Sequence, residues 1–497
     1  MSLTSNLHLL LPEFLLAGLA FVIFSADLLL AEGRKHWLAW ISVLGLIGLT
    51  VLSLLLLWDR DELMYGGLFH VDAYSLFFKT FFMVLGIVVI LSSIDFVKAR
   101  FTSQGEYYAI ILMAILAMNI MSASGELLTA YIALELMSFS FYIMVAYLRG
   151  NPLSNEAGIK YILIGAFSSA FLLFGISIVY TTTLETRFVD IAGFLANAND
   201  ISPALWVGLG MMLVGLGFKM AAVPFHMWAP DVYQGAPLPI TAYLAVGSKA
   251  AAFALVLRMF SEAFAPAIDD WRILIAVLAV ATMSVGNLAA MVQHNVKRLL
   301  AYSSIGQVGY LLVGIAALSH LASNGIMLHI VGYAFTSMAV FVGVITFFNM
   351  TGKEEIKDMA GLADSHPFLA ASIAIGLFSL AGLPFFAGFA TKFYLFNAAA
   401  NEDMLWLAGI AVLNSLFSLY YYLNVIRQMY IEPKPEPADE EQVIEEEGRV
   451  VTLSQRPSLL LTGVLAAMVL GTIFVGVFPF PIVEAIEAAT TALAIVG

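Results

Sequence analysis

Cysteine is absent from the sequence, and only 11% of its residues are charged. The lack of cysteine excludes disulfides, iron–sulfur clusters held by thiolates and haem attached through thioethers. The scarcity of charge excludes an ordinary soluble domain, because such domains carry about 25% charged residues. Any redox centre in this chain would need other ligands.

Apolar side chains fill most of the sequence: 61% of the 497 residues are hydrophobic, and the mean hydropathy is +0.93. A helix needs about 20 apolar residues to cross a bilayer. The sequence therefore predicts an all-α, polytopic membrane protein with about fourteen transmembrane helices. The candidate spans are residues 7–30, 37–58, 74–95, 107–124, 127–148, 157–181, 203–228, 237–260, 271–291, 298–318, 323–349, 367–397, 404–430 and 458–480.

Basic residues are distributed unevenly between the two sides that these spans define. Loops and span ends carry fourteen Lys and Arg on one side, Lys160 among them, and four on the other, Arg258 among them. The positive-inside rule places the richer side in the cytoplasm, so both termini are expected on the non-cytoplasmic side. No basic segment precedes the first span, which is therefore expected to be retained and not cleaved as a signal peptide.

The net charge of −13 is concentrated in one segment, because residues 432–449 hold eight acidic and two basic side chains. The segment is also rich in proline. This composition is typical of a solvated loop, here a cytoplasmic one between the last two spans. A docking surface for a partner is the alternative interpretation.

Apart from the residues counted above with the loops and span ends, four lysines lie inside predicted spans, at Lys79, Lys219, Lys249 and Lys392. A charged side chain at the bilayer centre costs about 2.5 to 3.5 kcal/mol on insertion scales, and such residues usually mark ion or proton pathways. Lys79 is close enough to its span end for the ammonium to reach the membrane surface. The other three lysines are candidate proton carriers.

Two of the spans contain helix-breaking residues. Pro224 follows Lys219 by five residues, and Gly382 and Pro384 interrupt the twelfth span. A proline inside a helix frees the carbonyl four residues earlier, and such backbone is tolerated at membrane depth only in a buried, partly hydrated site. A pair of broken spans also predicts two repeated units, spans 4 to 8 and spans 9 to 13.

Glu135 is the acidic residue nearest the middle of any span, and a buried carboxylate needs a partner. We expect an ion pair with Lys219, either as a movable gate or as a static packing contact. His226 follows Lys219 by seven residues and would share its helical face if Pro224 does not rotate it away. His329 is the other histidine at membrane depth; both histidines could instead be satisfied core residues.

Buried lysines suit proton transfer because loss of water disfavours the charged form of the side chain. An ionised Glu135 would keep Lys219 protonated, and protonation or withdrawal of the acid would release that proton. We hypothesise lateral transfer from Lys219 through Lys249 towards Lys392, with His329 or waters as bridges.

Six stretches of this sequence contain long and specific motifs. They are VDAYSLFFK, GEYYAIILMAILAMNIMSASGELLTAYIALELMSFSFYIMVAY, EAGIKYILIGAFSSAFLLFGISIVY, PFHMWAPDVYQGAPLPITAYLAVGSKAAAFA, VKRLLAYSSIGQVGYLL and GLPFFAGFATKFYLF. On these motifs the chain resembles the antiporter-like N subunits of proton-pumping NADH:quinone oxidoreductase, respiratory complex I. The resemblance covers nearly the whole chain and is least distinctive in the N-terminal spans and the acidic loop.

The resemblance implies fourteen helices with two inverted five-helix repeats. By motif, Glu135 and Lys219 match the family's ion pair, Lys249 its central lysine, Lys392 its exit lysine and Lys160 a sixth-helix lysine. The expected units are an N-terminal three-helix segment (1–100), a first repeat (101–262), a second repeat (263–431), the acidic loop (432–457) and a C-terminal helix (458–497).

The resemblance also implies partners and cofactors. No cofactor is expected in this chain, whereas NADH, FMN, iron–sulfur clusters and quinone are expected in partner subunits. The expected partners are M-type and A/J/K-type membrane subunits in a bacterial inner membrane, with no nucleic acid. M subunits typically have glutamate where Lys392 stands, and L subunits carry a lateral helix for which a chain ending at Gly497 has no room.

Two other interpretations remain open at this stage. The D-type subunit of multisubunit sodium/proton antiporters shares the broken helices and the lysines. A stand-alone solute carrier or a structural membrane scaffold would tolerate removal of the lysines.

Overall fold

The computed structural model describes residues 6–198, 201–433, 443–446, 449–453 and 456–493. Helices dominate this part of the chain. They are α1 (Leu11–Leu29), α2 (Trp37–Leu57), α3 (Ala73–Arg100), α4 (Gln104–Ala123), α5 (Leu127–Val145), α6 (Pro152–Thr183), α7 (Phe188–Asn197), α8 (Pro203–Met220), α9 (Trp228–Gly235), α10 (Leu238–Tyr243), α11 (Lys249–Met259), α12 (Ile268–Ala290), α13 (Val296–Ala316), α14 (His320–Thr351), α15 (Leu362–Ser365), α16 (Pro367–Ala381), α17 (Ala387–Asn401), α18 (Leu405–Tyr430), α19 (Leu459–Val477) and α20 (Phe480–Thr490).

Two short antiparallel hairpins complete the secondary structure of the described residues. Strands β1 (Glu62–Met64) and β2 (Phe69–Val71) pair between α2 and α3. Strands β3 (Val443–Glu446) and β4 (Arg449–Thr452) pair within the acidic segment. Residues 434–442, 447–448 and 454–455 of that segment lie outside the described residues, so its expected role as a solvated loop or docking surface stays a prediction.

The polytopic membrane fold predicted from hydropathy is confirmed. By length and composition, twelve helices of the described chain can cross a membrane. The count is lower than the predicted fourteen for two reasons. Spans 237–260 and 271–291 join in one continuous helical stretch, Leu238–Ala290, and span 367–397 divides into the shorter helices α16 and α17.

Helix starts follow from local side-chain chemistry. The first N–H groups of a helix have no partner inside it, and an oxygen-bearing side chain just before the helix can accept from them. Such caps are provided by Asp72 for α3, Glu126 for α5, Asn151 for α6, Asn295 for α13 and Ser319 for α14. The boundaries of these long apolar helices are therefore specified by polar residues that flank them.

Helices α13 and α14 form the centre of the molecule. In their most apolar windows 94% and 89% of the residues are buried, against 33% in the window of the first span. An apolar helix that is buried all round faces other protein and not lipid. Polar side chains on α13 and α14 are consequently shielded from the bilayer.

Both predicted helix breaks are present, and they have the same backbone geometry. Helix α8 ends with Ala221 at φ 61°, where the N–H groups of Ala221 and Ala222 donate to the carbonyls of Phe218 and Gly217 at 3.0 and 2.8 Å. This is the Schellman arrangement for closing a helix. The predicted break is therefore present, but Pro224 does not lie inside the helix, because α8 ends four residues before it.

Helix α16 closes in the same way around Gly382, whose φ is 86°. The N–H groups of Gly382 and Leu383 donate to the carbonyls of Ser379 and Phe378 at 2.9 and 3.1 Å. Glycine suits this position because it adopts a left-handed conformation without steric cost. The matching closures agree with two repeated units, although the unit boundaries at 101–262 and 263–431 remain a prediction.

Two basic residues lie deeper than the sequence indicated. Lys79 does not reach the surface; it is fully buried, and its Nζ lies 2.6 Å from Oε1 of Glu13. Arg258 is not in a loop; it lies in α11 with 0% of its surface exposed. In each case an acid contributed by another element compensates the charge, and hydropathy of one segment cannot reveal such a partner.

The break in the twelfth span depends on a close approach of its two halves. A Cβ added at Gly388 of α17 would lie 1.8 Å from the carbonyl oxygen of Ser379 in α16. We expect Gly388→Ala to lower stability by about 1 to 3 kcal/mol, the usual cost of overpacking. The midpoint of thermal unfolding in detergent measures this. Gly409→Ala on α18 is the control, because nothing lies within 4 Å of the added atom; equal midpoints for both variants would contradict the prediction.

Candidate functional site

Lys219 lies in the last turn of α8, directly before the break. Its ammonium is buried and donates to the hydroxyl of Tyr142 at 3.1 Å. It also lies 5.2 Å from the centre of the Tyr142 ring and 5.1 Å from that of Phe218. The C-terminal end of a helix favours a cation, as do aromatic faces, so this charge is held by dipoles and rings.

Glu135 occupies α5 two turns before Tyr142, on the same face of that helix. Its carboxylate accepts a hydrogen bond from the hydroxyl of Ser169 on α6. The expected direct ion pair with Lys219 is not formed, since no ion pair within 4.0 Å joins these two described residues. Tyr142 instead provides the contact for Lys219, and it lies two turns after Glu135 on α5.

A series of aromatic rings from α5, α6 and the short helix α9 leads from Lys219 towards Lys249. Tyr142 packs edge-on against Tyr161 at 4.8 Å, and Tyr161 stacks on Trp228 at 4.6 Å between ring centres. Trp228 in turn meets Tyr233 at 6.3 Å, and its indole N–H donates to the carbonyl of Phe218 at 3.0 Å. The break after α8 thus lets α9 insert between the two lysines.

Lys249 begins α11 and is buried in the centre of the molecule. Its ammonium donates to the hydroxyl of Ser304 on α13 and lies 5.7 Å from the centre of the Tyr233 ring. A cavity of about 10 Å³ is lined by Lys249, Ser304, Gln307 and Tyr333 together with apolar side chains. One water needs roughly 10 to 15 Å³, so the space beside the ammonium is close to that of a single water.

Gln307 connects the surroundings of Lys249 with those of Lys392. It lines the cavity beside Lys249, and its side-chain amide donates to the carbonyl of Leu380 at 3.3 Å. The ammonium of Lys392 donates to the same carbonyl at 2.8 Å. One backbone oxygen in the last turn of α16 therefore accepts from Lys392 and from a side chain that lines the cavity beside Lys249.

Lys392 comes from α17, on the far side of its break, but its ammonium reaches back to the end of α16. It also donates to the hydroxyl of Ser415 on α18 at 3.0 Å and lies 4.6 Å from the centre of the Tyr310 ring. In sequence Lys219 precedes its break and Lys392 follows its own. In space, the ammonium of Lys219 lies at the C-terminal end of α8 and that of Lys392 at the C-terminal end of α16. The two sites are therefore alike in structure although the order of lysine and break differs in sequence.

His329 lies on α14 beside the distal lysine. Its Nδ1 is 2.9 Å from the hydroxyl of Thr391, the residue before Lys392, and its ring stacks on Tyr333 at 6.4 Å. Its Nε2 is buried and has no hydrogen-bond partner among the described residues. His329 is thus placed near both the central cavity and Lys392, as a bridge would require.

Among the described residues, neither His226 nor Lys160 forms a hydrogen bond with Lys219, Lys249 or Lys392. His226 is in the irregular segment before α9, so the condition for sharing a helical face with Lys219 is not met, because α8 ends at Met220. Lys160 lies in the third turn of α6 and not in a loop; it pairs with Glu156 at 2.7 Å and with Asp231 at 2.8 Å.

A polar network therefore surrounds Lys160 at the mouth of the site. Asp231 of α9 also receives the guanidinium of Arg298 on α13 at 2.8 Å, which links the two predicted units. The Lys160 side chain is 41% exposed and that of Asp231 39% exposed. Lys160 and Asp231 thus lie partly at the surface of the chain, whereas the ammonium groups of Lys219, Lys249 and Lys392 are buried.

Sequence reasoning found the lysines, Glu135 and His329 but not the groups that connect them. Tyr142, Ser169, Ser304 and Ser415 are neutral, and neutral residues are common in apolar helices. Gln307 is the residue that the sequence could have indicated, because a buried side-chain amide needs hydrogen-bond partners. The described residues contain no group of three or more His, Asp or Glu that could hold a metal ion.

Comparisons with known proteins agree with one another. The family described as NADH:quinone oxidoreductase/Mrp antiporter, TM matches residues 124–418. Subunit N of NADH-quinone oxidoreductase from Moorella thermoacetica is 40% identical, with 98% of this chain and 99% of that protein covered. The same subunit from Dehalococcoides mccartyi is 39% identical, with 97% and 99% covered.

Solved structures give the same fold. A chain of respiratory complex I from Thermus thermophilus with bound aureothin has a TM-score of 0.79 and 27% identity, covering 96% of this chain and 99% of that one. A chain of the Mrp complex from Dietzia sp. has a TM-score of 0.84 at 21% identity, covering 97% and 98%, which shows the shared fold alone. This chain belongs to the family of subunit N of NADH-quinone oxidoreductase.

Proposed function

We propose that this chain is a proton-translocating membrane-arm subunit of an NADH:quinone oxidoreductase, and that it moves protons through its buried lysines. The observation that carries this proposal is the single connected series from Lys219 through α9 to Lys249, and on through Gln307 to Lys392. Protein structures retain such buried cations mainly for ion or proton work. The chain contributes no redox centre of its own.

The surroundings of the lysines support transfer more than static pairing. Lys249 and Lys392 contact hydroxyls, a backbone carbonyl and aromatic rings, and no carboxylate lies within 4.0 Å of either ammonium among the described residues. A lysine without a fixed counter-charge is less committed to its charged form when water is removed. Each ammonium can then give up its proton and take up another without breaking an ion pair.

Lys219 is the natural gate of this series because an acid lies near it without touching it. With Glu135 ionised and Tyr142 accepting from the ammonium, the proton on Lys219 is favoured. When Glu135 takes up a proton or moves away, that support is lost, and the proton can pass towards Lys249. The gate thus acts through Tyr142 and the electrostatic field, and not through a direct ion pair.

The two ends of the series receive different roles. Lys160, Asp231 and His226 lie near the cytoplasmic end of the first unit if both termini are non-cytoplasmic, and they are exposed enough to collect protons from water. Lys392, with His329 beside it, is the distal carrier and the exit from this chain. The positive-inside bias of the loops supports this orientation.

The driving force for this movement must come from partner subunits. NADH, FMN, iron–sulfur clusters and quinone would be bound there, and M-type and A/J/K-type subunits would flank this chain in the inner membrane of a bacterial cell. A D-type antiporter subunit is less favoured, since full-length identity to N subunits reaches 40%.

Purification of the chain from its native membrane with its associated proteins tests this assignment. We expect flavin- and iron–sulfur-containing subunits and a quinone-site subunit to co-purify and to be identified by mass spectrometry. Recovery with small antiporter subunits and no redox proteins would instead support the antiporter, and recovery of the chain alone would contradict both.

A further inference from the structure

A second group of buried charges lies outside the lysine series. The guanidinium of Arg258 binds both carboxylate oxygens of Asp72 at 2.8 Å, Oε1 of Glu262 at 2.9 Å and Nδ1 of His70 at 2.9 Å. We call these four residues the Arg258 cluster. Three elements meet there: strand β2 with the cap of α3, helix α11, and the π-helical segment Phe260–Phe264 that follows α11.

One carboxylate oxygen in this cluster is unsatisfied. Oε2 of Glu262 is buried and has no hydrogen-bond partner among the described residues, and it lies 3.7 Å from Nδ1 of His70. The Glu262 side chain is 3% exposed, whereas that of His70 is 11% exposed and is the most accessible of the four. A buried lone oxygen of this kind is costly unless a proton or a donor occupies it.

The charges of the cluster do not balance. Burial, and then the neighbouring guanidinium, lower the pKa of His70 to about 4, so the imidazole is neutral at neutral pH. Nδ1 then accepts from Arg258, which leaves the ring proton on Nε2. One guanidinium against the carboxylates of Asp72 and Glu262 gives a net charge of −1. A single bound proton makes the buried cluster neutral.

Within the described part of the chain, the surrounding elements supply no further charge that would restore the balance. Tyr74 of α3 lies with its ring 4.6 Å below the guanidinium, and α4 contributes the carbonyl of Ser122, which accepts from Arg258 at 3.1 Å. On α7, which packs against the π-helical segment, Asp190 pairs with Arg187 at 2.5 Å.

We propose that the Arg258 cluster is a proton-release site, in which Glu262 carries one exchangeable proton that leaves past His70 to the non-cytoplasmic side. This inference rests on the proposed function and on the proposed orientation. The proton balance is simple: the cluster is neutral with the proton bound and carries −1 after the proton has passed to water. No other bond is formed or broken.

Helix α11 joins this site to the lysine series. Lys249 is its first residue and Arg258 its tenth, so the two lie about 14 Å apart along the axis at 1.5 Å per residue. The π-helical segment that carries Glu262 interrupts the regular hydrogen bonding, and such segments are frequent at functional sites. The first unit would thus have its own outlet below its central lysine.

Infrared difference spectroscopy on the purified assembled complex tests the proposal without quinone turnover. A pH titration should show a protonated-carboxyl signal in the wild-type complex that Glu262→Gln abolishes. Glu126→Gln should retain it; Glu126 is a buried acid on the same side, but it caps α5 and accepts from Thr129 and Thr186 at 2.7 and 2.9 Å. The measurement needs no turnover, so it does not depend on proton transfer through the lysines. The protonated-carboxyl signal should therefore persist in a Lys249→Ala complex, whether or not the lysines carry protons.

A second variant guards against failure of the first to assemble. Asp72→Asn keeps an oxygen to cap α3 and leaves Arg258 opposite Glu262 alone, so the cluster is neutral without a proton. We expect the carboxyl signal to be lost although Glu262 is still present. If the cluster is only a static ion-pair network, the wild-type complex should show no protonated-carboxyl signal. That result would overturn the proposal.

Proton pumping in liposomes tests the release role. We expect the proton-to-electron ratio to fall in Glu262→Gln and to stay at the wild-type value in Glu126→Gln. A lost carboxyl signal with an unchanged ratio would show a bound proton that is not on the pathway, and would overturn the assignment as a release site.

Discussion

Replacement of Lys219 by alanine in the assembled complex is expected to lower proton-coupled quinone reduction by roughly tenfold or more, since positioned proton-transfer groups typically contribute 10²- to 10⁴-fold. Assembly should stay intact, because the ammonium makes one hydrogen bond, to Tyr142, and no ion pair within 4.0 Å. Glu135→Ala should act in the same direction, because Lys219 then loses its electrostatic support. Quinone reductase activity of membranes with matched complex content measures the effect.

Two further variants separate a proton relay from a static contact at this position. Lys219→Arg keeps the positive charge but cannot release a proton at physiological pH. If Lys219 relays protons, this variant should lose quinone reductase activity. If Lys219 is only a packing contact, the variant should keep it. The double variant Lys79→Met with Glu13→Leu removes another buried lysine together with its partner. A buried ion pair replaced by apolar residues is often tolerated, so this control should retain activity.

Lys392→Ala is expected to impair pumping as well, by a similar factor, because the distal carrier is removed. The ammonium joins Leu380 of α16 to Ser415 of α18, so some loss of stability should accompany the loss of activity. Proton uptake and release by complexes reconstituted into liposomes measure the loss of pumping.

Ser415→Ala provides the comparison for Lys392. It removes one of the two hydrogen bonds of the ammonium but leaves the charge and the contact with Leu380 in place. We expect a modest decrease in pumping, well short of that in Lys392→Ala. Wild-type pumping in Lys392→Ala would place the exit elsewhere.

Most of the fold was predictable because hydropathy reports burial in lipid directly. The fourteen predicted spans correspond in position to the twelve long helices once the continuous stretch Leu238–Ala290 and the divided span 367–397 are taken into account. The breaks were predictable from Pro224 and Gly382. Their positions along the helix were less so, since the first helix closes at Ala221, a residue with no helix-breaking signature.

The site was predictable only in part, for a physical reason. A charge in an apolar run is conspicuous, so Lys219, Lys249 and Lys392 could be found from sequence. The partners of such charges come from other helices and are often neutral, as Tyr142 and Ser304 are. A pairwise rule that seeks an acid for every buried lysine therefore chose Glu135 as a direct partner.

The same limitation explains the two misplaced basic residues. Lys79 and Arg258 were near the ends of predicted spans, where long side chains usually reach water. Their acids, Glu13 and Asp72, lie 66 and 186 positions away in the chain. These charges meet because α1 and α3 both pack against α2 and α4, and because α11 and strand β2 both pack against α4.

The proton-to-electron ratio of the Lys219→Ala complex, reconstituted into liposomes and compared with the wild type, tests the central claim most directly. If protons pass through the series of buried lysines, the ratio supported by the residual quinone reduction falls below the wild-type ratio. A wild-type ratio in both Lys219→Ala and Glu135→Ala would contradict the account.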